Sequence, residues 1–138
     1  KFQTTSACMV ISDLLENDGN RKLEHTFYIN MDNVSLKTEM KYGKQDPRLL
    51  EAKFKYGNVL LGLSILHDAD QQGILASSSE PGDEESSDEE LERQTETAQD
   101  TIWRVSAAVA PVLLPIIDQL SGISEQQVEE FSTAGEDV

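Results

Sequence analysis

The run SSSEPGDEESSDEELERQ, residues 77–94, divides this chain more sharply than any other feature. Residues 77–100 carry ten acidic side chains against Arg93 alone, a net −9, whereas residues 1–76 carry ten acidic and nine basic groups, a net −1. The last twenty residues add five acidic groups and no basic one. Most of the net charge of −15 therefore sits in two stretches, which is the pattern of a linker and a tail rather than of a uniformly acidic surface. Residues 77–98 contain no aromatic and no β-branched apolar side chain, so they cannot bury enough surface to offset their chain entropy. An acidic, intrinsically disordered linker is expected over 73–99, with 88–99 rich enough in helix formers for an exposed helix.

On either side the chain is foldable. In TSACMVISDLLE, residues 5–16, Ala7, Val10, Ile11, Leu14 and Leu15 share one helical stripe, and Asn17-Asp18-Gly19-Asn20 supplies a stop. Leu23, His25, Phe27 and Ile29 then alternate with polar residues, as do Val34, Leu36, Thr38 and Met40 beyond Met31-Asp32-Asn33. Two alternating runs around a turn predict an antiparallel hairpin. Asp46-Pro47 is a helix start, Asp as N-cap and Pro at the first helical position, and a helix of about 21 residues follows. Its second half, VLLGLSIL, is apolar nearly all round, as in a helix enclosed on several sides or held in an interface.

Beyond Asp100, Ile102, Val105, Val109, Val112, Ile116 and Leu120 recur at steps of three or four. Pro111 and Pro115 each remove a backbone donor, which predicts a kink or two short helices, with a stop at Ser121-Gly122. Ser124 with Gln127 reads as a capping box for a last short helix, and Ile123 with Val128 as its staple. The expected fold class is α+β: a helix–β-hairpin–long helix unit over 1–72, the acidic linker over 73–99, a C-terminal helical segment over 100–132 packing on the first unit or on a partner, and a frayed tail over 133–138.

The functional signals are few. Nucleic-acid binding is excluded as an expectation, because phosphate contacts need clustered Lys and Arg, and the basic window 37–55 is net +3 only. The apolar run 105–117 is thirteen residues, short of the roughly 20 needed to span a bilayer, so no membrane is expected. Cys8 is the only cysteine, which fits a reducing, cytoplasmic setting, and without a basic neighbour it reads as an inert thiol. Asn33-Val34-Ser35 matches a glycosylation acceptor without any secretory signal beside it. The run DADQQGIL at 68–75 resembles the opening of an EF-hand calcium loop, with Asp68, Asp70 and Gln72 as candidate ligands. It departs from that pattern at Gln72, position five, and at Ser79, where the family has a bidentate Glu. Ser77, Ser86 and Ser87 each precede a Glu by three residues, so they are candidate phosphorylation sites for an acid-seeking kinase. Against these stands the plain reading of the acidic run as a soluble spacer; mimicry of nucleic acid and screening of the 37–55 window are its further alternatives.

No His-Glu-x-x-His, Gly-x-Ser-x-Gly, P-loop or dinucleotide fingerprint occurs, and no cofactor is expected. The stretch KFKYGNVLLGLSILHDA after a hairpin resembles the end of some prokaryotic ATP-binding proteins with a histidine-kinase-type ATPase fold. None of that family's nucleotide-binding motifs is present, so the resemblance carries no site. The function expected is that of a non-enzymatic interaction or accessory module, which binds a protein partner or another copy of itself. Phe54, Gly57, Leu61, Val109, Val112 and Ile116 are its interface candidates. The second reading is a C-terminal fragment of a larger, ATP-binding enzyme whose active site lies upstream, since the chain opens on Lys1 rather than Met.

Overall fold

The structure, a computed structural model, describes residues 2–77 and 84–134, with the backbone alone over 73–77, 84–87 and 121–134. Strands β1 (Cys8–Asn17) and β2 (Asn20–Ile29) form a two-stranded antiparallel sheet; helices α1 (Val34–Tyr42), α2 (Pro47–Ser77) and α3 (Glu84–Ala134) follow. The class is α+β, as expected, but two elements differ from the sequence reading.

The first is β1, which occupies the segment read as a helix. Asn17 pairs with Asn20 across a two-residue turn in which Asp18 and Gly19 both have positive φ, 49° and 78°. This is a type I′ turn, whose backbone twist matches that of paired strands, and Asp-Gly is a sequence that favours it. Register then runs pair by pair to Cys8 opposite Ile29. Val10, Ile11, Leu14 and Leu15 fit a helical stripe, yet Cys8, Val10, Ser12 and Leu14 also alternate. The turn supplies a partner strand, and that decides between the two periods.

The second is α1, which replaces the expected second strand over 34–40. Leu36 and Met40 are four apart, a spacing that satisfies both a strand face and a helix face. Asn33 settles the matter as N-cap. Its Oδ1 accepts from the Ser35 and Leu36 N–H groups at 2.9 and 3.4 Å, and its Nδ2 donates to the Thr5 and Ser6 carbonyls at 3.2 and 2.9 Å. Asn30 does similar work beside it, donating to the Gln3 and Ser6 carbonyls and accepting from the Asp32 N–H. Together they fasten residues 3–6 to the β2–α1 turn, and the Phe2 ring stacks on Trp103 of α3, centroids 5.8 Å apart.

Helix α2 begins as predicted, with Asp46 Oδ1 accepting from the Arg48 N–H at 2.9 Å, but it runs to Ser77. Helix α3 is continuous through Pro111 and Pro115 and through Ser121-Gly122, so neither the break nor the stop expected there occurs. Both prolines are exposed, on the edge of α3 that borders the groove toward α1. The expected linker is correspondingly narrower: helix reaches Ser77 and resumes at Glu84, and residues 88–99 belong to α3, with Ala98 buried. Residues 78–83, and the side chains of the 121–134 capping box and staple, lie outside the described residues.

α2 and α3 pack side by side, and the hairpin and α1 cover one face of the pair. Phe54, Leu50, Leu36, Ala7, Ala110 and Leu114 form one buried cluster; Cys8, Val10 and Ile102 form a second, flanked by Phe27, Ile65 and Leu66. Ser106 Oγ accepts from the Cys8 N–H at 3.1 Å and lies within 3.3 Å of the Cys8 carbonyl, so α3 closes that edge of β1. Farther along, Arg21 at the hairpin tip pairs with Asp88 at 3.0 Å.

Candidate functional site

Catalysis needs groups that converge. The one nucleophile–base geometry among the described residues is a cross-strand pair, Ser12 Oγ and His25 Nδ1 at 2.6 Å. It comes from hairpin register: counted back from the Asp18-Gly19 turn, position 12 falls opposite 25. Among the described residues no hydrogen bond or ion pair reaches the other ring nitrogen of His25, so nothing orients the imidazole as a base. The contact is that of a half-buried hydroxyl satisfying a half-buried ring. Cys8 is fully enclosed, and burial pushes its thiol up to about 11, which leaves little thiolate at neutral pH.

Metal binding fares no better. Asp68, Asp70 and Gln72 lie on continuous α2 helix, not on a loop, and the Gln72 amide donates to Asp68 Oδ2 at 3.0 Å. Ser79 lies outside the described residues. Among the described residues no three His, Cys, Asp or Glu side chains gather for a metal. Asn33 of the glycosylation match is buried with its amide fully engaged. A groove of about 170 Å³ between α1 and α3, lined by Val34, Ser35, Glu39, Pro111 and Pro115, is below the size of ordinary small-molecule sites.

What the fold does present is an apolar face. Lys53 Nζ donates to Asp118 Oδ1 at 2.7 Å, and a Cβ on Gly57 would meet Leu113 and Ile117, so α2 and α3 touch along 53/57 and 113/117. The Asp118 carboxyl is held below its ordinary range by this Lys53 hydrogen bond first and by Gln45 second. At 100° per residue, Leu49, Tyr56, Leu60 and Leu63 lie on α2 beside that seam, on the side away from the core. Val112, Ile116 and Leu120 lie beside the same seam on α3. Because the two helices are antiparallel, both stripes turn the same way, opposite the hairpin and α1. Tyr56 is 66% exposed, Leu60 67% and Leu120 61%; the other four are 48% exposed.

The six interface candidates are thereby sorted. Phe54 is in the core and Gly57 faces α3, so both serve contacts within the chain. Leu61 and Val109 are half-buried, whereas Val112 and Ile116 lie on the open face. Leu49, Tyr56, Leu60, Leu63 and Leu120 complete that face and were missed. Their signal was the 49-56-60-63 spacing, masked by a helix apolar all round. Ser77, Ser86 and Ser87 have helical backbones, and their side chains lie outside the described residues.

Over Asp88–Leu120, α3 is long and apolar enough to cross a membrane by length and composition. Its uncharged part between Arg104 and Asp118 is about 20 Å of helix, against a hydrocarbon core of about 30 Å. Comparison with family models, curated proteins and solved structures finds no match to this chain.

Proposed function

We propose that this chain is a cytoplasmic protein–protein interaction module with no chemistry of its own, and that the outer face of α2 and α3 is its docking surface. The observation that carries this reading is the pair of apolar stripes on that face, seven large side chains at 48% exposure or more, with no core to cover them. Such a surface exceeds the scattered apolar exposure of ordinary monomers. The hairpin and α1 serve as a brace: they bury the other face of the helical pair and so fix which residues turn outward.

The reading is tested by placing a photo-reactive side chain at position 60 of the full chain and irradiating living cells. A covalent adduct of discrete mass from position 60, with none from exposed Glu24 on the far side of the hairpin, is the expected result. No adduct from position 60 overturns the reading.

A further inference from the structure

We infer that the occupant of this face is a second copy of the chain, related to the first by a two-fold axis; the inference rests on the docking reading above. At the observed exposures the seven side chains offer on the order of 800 Å² per copy, the size of one side of a standard stable interface. The surface is also self-compatible. No charged residue lies at α2 positions 56–67 or α3 positions 105–117, and Lys53 and Asp118, on the seam beside them, are paired with each other, so two chains of net charge −15 meet with little unpaired charge between them. A face of this kind forms an isologous contact, each copy giving and receiving the same residues.

Sedimentation velocity of the full chain at micromolar concentration tests this. The expected species has twice the 15.3 kDa chain mass. Leu60→Glu and Ile116→Glu each put a carboxylate on the contact face of both copies and are expected to give monomer with unchanged far-ultraviolet circular dichroism, because both positions are already about half exposed or more. Added salt is expected to tighten the dimer severalfold by screening the repulsion between two chains of net charge −15. A monomeric wild type, a dimer indifferent to both substitutions, or a dimer that weakens with salt overturns the inference. The two failures are separable: a monomer in solution together with a photo-adduct of some other mass leaves the docking surface and removes the second copy, whereas no adduct removes both.

Discussion

Asn33 is the position at which a single atom exchange should tell most about how this fold holds together. Its side chain is fully buried and makes four hydrogen bonds, two as N-cap acceptor of α1 and two as donor to the Thr5 and Ser6 carbonyls. Asn33→Ala loses the cap, about 1 kcal/mol, and two donors at about 1 kcal/mol each. The Ser6 carbonyl keeps Asn30 Nδ2 at 2.8 Å, and exposed Thr5 reaches water, so no further orphan cost arises. The sum, about 3 kcal/mol, moves a urea midpoint by roughly 1–3 M at the slope usual for small proteins. Asn33→Asp separates the two roles. It keeps volume and cap acceptor but turns a carboxylate toward two carbonyl oxygens in an enclosed position, at a cost no smaller than that of Ala at neutral pH. Burial and those carbonyls raise the acid's folded pKa above its unfolded value, so the deficit relative to wild type shrinks as pH falls through the folded pKa and the protonated acid regains a donor. Urea titrations of the three proteins at neutral and mildly acidic pH read this directly. An Asp variant within about 0.5 kcal/mol of wild type at neutral pH would refute the claim that these donors hold the N-terminal segment.

Other substitutions probe the packing beneath the exposed apolar face. A Cβ at Gly62 would stand 2.5 Å from the Phe27 ring, so Gly62→Ala should destabilise despite a helix-propensity gain of about 1 kcal/mol. At Gly57 the nearest atoms are Leu113 methyls at 3.1 and 3.2 Å, which can give way, so Gly57→Ala should be neutral or slightly stabilising in the same thermal melts. Ser106→Ala orphans the buried Cys8 N–H and should cost about 1–3 kcal/mol in urea denaturation, with faster amide exchange at Cys8. Asp118→Asn removes the Lys53 pair, worth at most about 1 kcal/mol at this partly exposed site. Because the folded carboxyl is held below its ordinary value of 3.8, that contribution is complete above this pH and is lost as pH falls through the lowered value. The stability difference between wild type and variant should therefore vanish in strong acid.

The two misread elements share a cause. Residues 8–17 and 34–40 both carry apolar spacings compatible with either period, and in each case one polar device outside the stripe decided the outcome. For β1 it was the Asp18-Gly19 turn, legible in the sequence as a hairpin signal but equally readable as a helix stop. For α1 it was the buried Asn33 cap, whose partners at Thr5 and Ser6 are some 27 residues away in the chain and so invisible to any local window. The exposed apolar face was half legible. Val112 and Ile116 stood out by their spacing, but nothing local distinguished Phe54, which is in the core, from Leu60, which is outside.

The sequence by itself determined what is local or compositional: the Asp46-Pro47 start of α2, the apolar periodicity of α3, and the division of charge between an acidic middle and a near-neutral front. Only the tertiary structure decided which side of α2 and α3 is inside. That choice depends on where the hairpin and α1 come to rest, through Ser106 on the edge of β1, Phe27 against Gly62, and Leu36 against Phe54. A helix that is apolar all round offers burial on every side at nearly equal free energy, so its own residues cannot choose the face. The elements that cover it make that choice, and the face they leave uncovered is the one that stays exposed.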